Sequence, residues 1–285
     1  MLSADLVMVT GKGGTGKSAV AAALALAAHR AGRRVLALAM DPTGTGLAAH
    51  LGAPPLSPQP SEVKPGLWAC RIDRSKALGE YLRVQLGVPP FLILGPAVRA
   101  FDALASAAPA IREIITVGKV LWEVRRKAWD LVVADAPPTG QIGSYLRAAR
   151  TIVELVPSGR IREQASWMEE LLRDQATLCV VSIPEELPVN ETAELRSWLT
   201  GERVVGSTVV AANRVLPPPA GARPGARRPA GRRGATPPRA VVGAAEVARG
   251  ARRRPSPALP VRPDDSRGGG SPAGRRGGGL VRSAR

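Results

Sequence analysis

Apolar runs alternate with helix-like patterns along the first 214 residues of the chain. Short apolar runs predict buried strands at 6–10, 34–41, 67–73, 129–140 (with the loop that follows), 177–184 and 207–213. Helical periodicity predicts helices at 18–32, 43–52, 141–151, 160–175 and 188–199. This alternation is typical of βαβ units, so it predicts an α/β fold with a mostly parallel sheet flanked by helices.

Two stretches depart from the alternation. Residues 53–66 are rich in proline and are predicted to form a loop. Residues 75–128 are mostly helical in pattern and are predicted to form a helical insertion. Near the end of the pattern, Asn190 is the predicted N-cap of the helix at 188–199, because its side chain can accept a hydrogen bond from a free backbone N–H group.

The composition changes abruptly after residue 214. Residues 215–285 hold 16 Arg, 13 Gly and 12 Pro, with three acidic residues and neither Lys nor aromatic residues. This segment carries +13 of the chain's net charge of +17, which leaves +4 for residues 1–214. Such a composition cannot bury enough apolar surface to offset the entropy of ordering the chain. We therefore predict a folded domain at 1–214 and a disordered, low-complexity tail at 215–285.

The basic tail has three interpretations. Arginine contacts with phosphate groups would make it a nucleic-acid-binding segment. The absence of interleaved aromatic side chains favours a solvated tail over a nucleic-acid partner. Its bias toward Arg without Lys also suggests an out-of-frame continuation in a GC-rich gene, in which case another reading frame near codon 215 would restore an apolar continuation.

The cysteines and the N-terminus indicate a compartment. Cys70 and Cys179 are single and far apart, so they suggest neither a disulfide framework nor a zinc site. The N-terminus lacks a basic segment followed by an apolar one, and the apolar run at 19–28 is too short to cross a bilayer. We expect a cytoplasmic protein without a transmembrane segment.

The stretch "GKGGTGKS" at 11–18 lies between the first predicted strand and the first predicted helix. It matches the phosphate-loop pattern G-x-x-x-x-G-K-[ST] in full. Glycines let successive N–H groups curl around phosphate oxygens, and the helix that follows adds its positive N-terminal end. Lys17 would neutralise the β and γ phosphates, and Ser18 would ligate Mg²⁺. The predicted nucleotide-binding residues here are Gly11, Gly13, Gly14, Thr15, Gly16, Lys17 and Ser18.

Two aspartates follow predicted strands. Asp41 lies in "MDPTG" and Asp135 in "VVADAPPTG". Parallel strands bring their carboxyl ends to the ligand crevice, where a carboxylate can orient an attacking water or hold Mg²⁺ through its water shell. Taken singly, each could instead be a turn-forming aspartate before a proline. We predict that Asp41 orients water and that Asp135, with Ser18, forms the metal site.

Several ordered motifs resemble those of one ATPase family. "GKGGTGKS" resembles the deviant phosphate loop of the signature-lysine ATPases. "DPTGTGL" at 41–47, "ADAPPTG" at 134–140 and "PEELPVNET" at 184–192 are similar to segments of the arsenite-pump and tail-anchored-protein-targeting ATPases. "IREIITVGKV" at 111–120 resembles a helical segment of the actinobacterial branch, and "AANR" at 211–214 resembles the family's adenine-contacting strand end.

The resemblance implies a P-loop NTPase that binds ATP and Mg²⁺. It implies that Lys12 reaches across a dimer interface to the partner's phosphates, that Lys12, Lys17 and Asp41 act in hydrolysis, and that Asn213 contacts adenine. The implied partners are a second copy or a paralogous ATPase and an unidentified protein client. The family's zinc-binding CxxC and arsenite-binding cysteine cluster are absent, so neither a zinc-stapled dimer nor arsenite chemistry is expected. The alternatives are a nucleotide-binding pseudo-ATPase partner subunit or a nucleic-acid-associated, Par-like ATPase that uses the basic tail.

Overall fold

The computed structural model describes residues 4–84 and 109–216 of the chain. The described strands are β1 Leu6–Gly11, β2 Val35–Ala39, β3 Ser61–Lys64, β4 Leu67–Arg71, β5 Leu131–Asp135, β6 Ala176–Ser182 and β7 Ser207–Ala212. The described helices are α1 Lys17–Arg30, α2 Thr45–Leu51, α3 Arg74–Val84, α4 Pro109–Arg125, α5 Thr139–Leu155, α6 Arg160–Gln175 and α7 Glu186–Glu202.

The described strands form one sheet in the order β3-β4-β2-β5-β1-β6-β7. All neighbouring strands run parallel except β3 and β4, which pair antiparallel. β5 lies between β1 and β2, and Asp135 is in register with Val9 of β1 and Ala39 of β2. The predicted α/β fold with a mostly parallel sheet is therefore confirmed.

Both faces of the sheet are covered, which explains why its strands read as continuous apolar runs rather than alternating ones. In β1, Leu6 and Met8 pack on one side and Val7 and Val9 on the other, all fully buried. The Leu6 side meets apolar residues of α4, α5, α6 and α7. The Val7 side meets α1 and α2.

The helix that follows the first strand packs on the sheet mainly through small residues. Buried α1 positions include Ala21, Ala25 and Ala28, and they meet Ala37 and Ala39 of β2. Alanine has the highest intrinsic helix propensity, and its small side chain lets the helix lie close to the sheet. This close packing fixes the position of α1, and with it the loop that precedes α1.

Two local predictions were wrong. Part of the predicted loop at 53–66 is the edge strand β3, whose exposed, polar sequence "SEVK" has no apolar alternation to reveal it. β3 and β4 form a hairpin, and Gly66 in its turn has a φ of 86°.

Asn190 is not an N-cap, because α7 begins four residues earlier at Glu186. Pro188 lies in the first turn, where a missing N–H group costs no helical hydrogen bond.

Several predictions concern segments that the structure describes only in part. Two helices, α3 and α4, fall on the predicted helical insertion at 75–128, and α3 begins one residue before it. Residues 85–108 between them and the tail beyond residue 216 lie outside the described residues. Within α4, Val120 and Leu121 are fully buried in the main core. In the described part of the chain, no helix is both long enough and apolar enough to cross a membrane.

Candidate functional site

The loop between β1 and α1 is curled by internal hydrogen bonds. The backbone N–H and the side-chain hydroxyl of Thr15 both donate to the carbonyl oxygen of Lys12, at 3.3 and 2.8 Å. Thr15 is fully buried, and Gly14 and Gly16 take positive φ angles of 83° and 94°. The chain therefore turns tightly enough to present several successive N–H groups to one anion, as a phosphate loop requires.

The glycines of this loop serve two separate purposes. A methyl group at Gly11 would overlap the carbonyl oxygen of Val181, and one at Gly16 would overlap the side-chain amide of Asn213. A methyl group at Gly13 or Gly14 would meet no atom within 4 Å. The first two glycines are required by packing, whereas the other two border open space that a phosphate group can occupy.

Asn213, directly after β7, contacts the phosphate loop through its side-chain amide. Its side-chain nitrogen donates to the carbonyl oxygen of Thr15 at 2.9 Å, and its side-chain oxygen accepts from the N–H of Arg214 at 2.9 Å. Both ends of the amide therefore have partners within the chain. The structure gives Asn213 a bracing role in the loop, and its contact with adenine stays a prediction.

A cavity of about 360 Å³ opens beside the phosphate loop at the carboxyl edge of the sheet. It brings together four of the predicted site residues, namely Lys17, Ser18, Asp41 and Asp135. Lys12, the loop glycines, Thr15 and Asn213 are not among its lining residues. The other polar side chains on its wall are Arg74, Gln141 and Tyr145, which the sequence analysis did not assign to the site.

Backbone hydrogen bonds between adjacent strand ends hold the aspartates at this edge. The N–H of Met40 donates to the carbonyl oxygen of Asp135 at 3.0 Å, and the N–H of Ala136 donates to that of Val9 at 2.9 Å. The Thr10 hydroxyl donates to the carbonyl oxygen of Pro137 at 2.6 Å, so the loop after β5 is tied to the end of β1. The segment after Asp135 is thus fixed at its start.

Asp135 is the buried carboxylate of the cavity, with only 8% of its surface exposed. Burial raises the pKa of this carboxyl, while a hydrogen bond from the Ser18 hydroxyl and the charge of Lys17 oppose that rise. The first turn of α2 lies against the same hydroxyl, since a methyl group at Gly46 would come within 2.8 Å of Ser18 Oγ. A hydroxyl and a carboxylate held together beside a lysine form a donor set that suits Mg²⁺.

Asp41 is exposed and shapes the turn before α2. Its Oδ2 atom accepts a hydrogen bond from the Thr43 hydroxyl and one from the Gly44 N–H at 3.2 Å. Asp41 therefore forms a turn, which is one of the two roles that the sequence allows for it. Its position on the cavity wall is compatible with the predicted role in orienting water, which stays a prediction.

Lys12 is engaged within its own chain. Its ammonium group forms an ion pair with Oε1 of Glu191 in α7, and Oε2 of the same carboxylate accepts from the Thr139 hydroxyl at 2.6 Å. The hydrogen bonds from Lys12 and Thr139 lower the pKa of Glu191. This connection, which we call the lysine latch, joins the phosphate loop to the start of α5, directly after the "APP" segment.

Sequence reasoning missed the residues that connect the motifs. Glu191 and Thr139 lie inside quoted motifs, but their side chains meet only through long-range folding, 52 residues apart. Arg74 lies in no motif at all. Only its position pointed to the site: Arg74 follows β4, and β4 pairs in parallel with β2, the strand that precedes Asp41.

The structure has a phosphate loop between a strand and a helix, and aspartates lie at the ends of two adjacent strands. This arrangement defines a P-loop nucleotide-binding protein. The model of the family described as anion-transporting ATPase matches residues 4–158, more than half of the chain. The chain therefore belongs to the anion-transporting ATPase family.

Proteins similar to this chain come from bacteria, archaea and plants. ATPase BagA of Mycobacterium tuberculosis is 35% identical over 228 residues, covering 74% of this chain and 65% of that protein. A putative arsenical pump-driving ATPase of Halobacterium salinarum is 27% identical, with 73% of this chain and 35% of that protein covered. ATPase GET3B of Arabidopsis thaliana is 25% identical, with 74% and 64% covered. The matched part of this chain thus spans less than two thirds of each of these relatives.

The two kinds of loop glycine predict different outcomes for alanine. Gly11→Ala should lower the free energy of unfolding by about 3 kcal/mol, because its methyl group overlaps a backbone carbonyl that cannot move freely. Gly13→Ala should change it by less than about 0.5 kcal/mol, because the added methyl group meets open space. Urea denaturation of both variants without nucleotide tests this. Equal destabilisation by the two substitutions would contradict the assignment.

The raised pKa of Asp135 predicts that its charge reduces stability. Below its usual pKa of 3.8 the carboxyl is neutral in both folded and unfolded chains, and as pH rises through the raised value the folded state bears the cost of a buried charge. Asp135→Asn should therefore match wild type in its free energy of unfolding near pH 4 and exceed it near pH 7.

Chemical denaturation between pH 4 and pH 8 measures this difference. Asp174→Asn is the matched control, since Asp174 is an exposed aspartate that does not line the cavity. A difference between Asp135→Asn and wild type that does not grow with pH would show that burial does not penalise this carboxylate.

Proposed function

We propose that this chain is an ATP-binding and ATP-hydrolysing molecular switch that controls a partner protein through nucleotide-dependent dimerisation. The observation that carries the proposal is the cavity in which Lys17, Ser18, Asp41 and Asp135 meet beside the phosphate loop. Membership in the anion-transporting ATPase family supports ATP as the nucleotide. Hydrolysis, dimerisation and the partner are parts of the proposal.

The residues present fit a magnesium nucleotide. The open space at Gly13 and Gly14 admits phosphate oxygens, and Lys17 on the cavity wall supplies a positive charge for them. Ser18 and Asp135 would hold Mg²⁺, the aspartate through the ion's water shell. When bound, Mg²⁺ would neutralise charge on the β and γ phosphate oxygens.

In the proposed reaction, a water oxygen forms a bond to the γ phosphorus while the bond to the β–γ bridging oxygen breaks. The products are ADP, inorganic phosphate and a proton from the water, which passes to solvent. Asp41 orients this water from the end of β2. Lys17 stabilises the negative charge that moves onto the phosphate oxygens. Each of these side chains is placed at the same edge by the parallel pairing of β1, β5 and β2.

The lysine latch supplies a connection between the nucleotide site and a dimer interface. In the single chain, Lys12 is paired with Glu191, which also accepts from Thr139 in the segment after Asp135. A lysine that acts on a partner's phosphates must first leave Glu191. We infer that movement of the "APPTG" segment on binding the γ phosphate weakens this pair and frees Lys12, and that loss of the γ phosphate lets the pair form again.

The partner is either a second copy of this chain or a paralogous ATPase, and the controlled client is an unidentified protein. We place the switch in the cytoplasm.

Cys70 and Cys179 are buried free thiols. Burial raises the pKa of each to about 12, so both stay as neutral thiols in the folded protein.

Lys17→Ala tests the nucleotide site. Loss of a charged donor to phosphate should weaken Mg·ATP binding by about tenfold or more, as measured by isothermal titration calorimetry. Lys64→Ala, which removes an exposed lysine from β3, should bind like wild type. A folded wild-type protein that gives no heat with millimolar Mg·ATP or Mg·ADP would reject the proposal.

Asp41→Asn separates binding from hydrolysis. The variant should retain Mg·ATP affinity within about threefold of wild type and lose phosphate release by about 10²-fold or more, because the amide orients water poorly. Phosphate release under saturating Mg·ATP measures this. A folded wild type that binds Mg·ATP without releasing phosphate would instead favour the pseudo-ATPase alternative.

Substitutions at the lysine latch test dimerisation. With a non-hydrolysable ATP analogue, wild type should dimerise, whereas Lys12→Ala should stay monomeric because it cannot reach the partner's phosphates. Glu191→Gln weakens the competing pair within the chain, so dimers should form at a lower protein concentration. Sedimentation velocity measures both. Dimerisation that is unaffected by Lys12→Ala would remove this lysine from the interface.

A further inference from the structure

Arg74 lies at the same edge of the sheet as the phosphate-site residues, although no family motif includes it. It is the first residue of α3 and follows the end of β4 by three positions. β4 pairs in parallel with β2, with Ala39 in register with Arg71, so the segments containing Asp41 and Arg74 emerge side by side. Arg74 lines the cavity that also contains Lys17, Ser18, Asp41 and Asp135.

The guanidinium group of Arg74 has an unsatisfied donor. Its Nε atom is buried and has no hydrogen-bond partner among the described residues. A buried N–H group without an acceptor is unfavourable, and native proteins rarely keep one without a reason. An acceptor supplied from the cavity would satisfy it.

The polar residues next to Arg74 are already engaged elsewhere. Arg71 donates to the carbonyl oxygens of Leu56 and Pro42 at 3.1 and 2.9 Å, which holds the turn after Asp41. Asp73 caps α3 by accepting the N–H of Lys76 at 3.2 Å, and its other oxygen lies 3.7 Å from Arg71. Within the described residues, no ion pair joins Arg74 to a carboxylate.

The order of the strands indicates which part of a nucleotide would reach Arg74. Asn213 marks the β7 side of the phosphate loop, where the adenine is predicted to lie. From there the strand order runs through β6, β1, β5 and β2 to β4, on whose side Arg74 lies. A triphosphate that extends from the β7 side across β1 presents its terminal phosphate toward β2 and β4.

We propose that Arg74 binds the terminal phosphate of ATP and makes this site discriminate between ATP and ADP. The planar guanidinium group suits two phosphate oxygens at once, and Arg74 lies with Lys17 on the wall of one cavity, so the two cations can share the γ phosphate. This inference rests on the proposed nucleotide site. It adds a residue that responds to the presence of the γ phosphate from within the same chain.

Calorimetry with the full chain tests the inference without measuring turnover. Mg²⁺ complexes of AMPPNP and of ADP are titrated into wild type, Arg74→Gln and Lys76→Gln. Arg74→Gln should lose about tenfold or more in affinity for AMPPNP and less than about twofold for ADP. Lys76→Gln is the matched control, because it removes an exposed positive charge from the same turn of α3, outside the cavity, and should bind like wild type.

The outcomes separate the two proposals. If wild type binds both nucleotides and Arg74→Gln binds AMPPNP as wild type does, or loses AMPPNP and ADP equally, the role of Arg74 is overturned while the nucleotide site stands. If folded wild type binds neither nucleotide, the site itself is wrong and Arg74 has no ligand there.

A second variant and a second ligand complete the design. Arg74→Met keeps the aliphatic stem, so it replaces Arg74→Gln if circular dichroism shows that Arg74→Gln is unfolded, and it must show the same selective loss of AMPPNP affinity.

Adding inorganic phosphate to the ADP complex distinguishes free phosphate from a γ phosphoryl group. If added phosphate increases the affinity for ADP in wild type but not in Arg74→Gln or Arg74→Met, Arg74 binds at the terminal phosphate position. If it increases the affinity equally in wild type and in both Arg74 variants, the proposal is contradicted.

Discussion

The candidate site depends on the parallel pairing of β5 with β1 on one side and with β2 on the other. Parallel pairing sends all three chains out at one edge, and the register of Asp135 with Val9 and Ala39 fixes their relative heights. This pairing brings the phosphate loop, Asp41 and Asp135 to the same edge of the sheet. A one-residue slip in this pairing would turn the side chains to opposite faces of the sheet and dismantle the site.

The charges at this edge are arranged for a ligand rather than for stability. Burial disfavours the ionised form of Asp135, and the Ser18 hydroxyl and Lys17 offset that only in part, because its pKa still lies above the usual value. Arg74 has a buried donor without an acceptor among the described residues. In the same cavity, burial thus disfavours the ionised form of a carboxylate, and a guanidinium has a donor without an acceptor. Unfavourable arrangements of this kind concentrate where proteins bind or react.

The sequence predicted the regular parts of the fold because burial on both sheet faces leaves continuous apolar runs, and six strands were placed in this way. It could not predict β3, since an exposed edge strand needs no apolar pattern. It placed α7 too late because Asn190 looks like a cap, although Pro188 fits within the first turn. It predicted that Lys17 and Ser18 of the phosphate-loop motif lie near Asp41 and Asp135, because both aspartates lie at the ends of predicted strands. It missed Glu191 and Arg74, whose roles depend on contacts between distant segments.

The two proposals use cations in different ways: Arg74 would bind the nucleotide of its own chain, whereas Lys12 would act on the nucleotide of the partner. Lys12 is bound by Glu191 and is therefore unavailable until that pair opens, which suits a group that should act only after another event. Arg74 has no such partner among the described residues, so it can meet a phosphate as soon as one enters. If both proposals hold, the γ phosphate is first recognised within the chain by Arg74 and Lys17. The release of Lys12 toward a partner then follows recognition, so that a chain without a triphosphate would not dimerise.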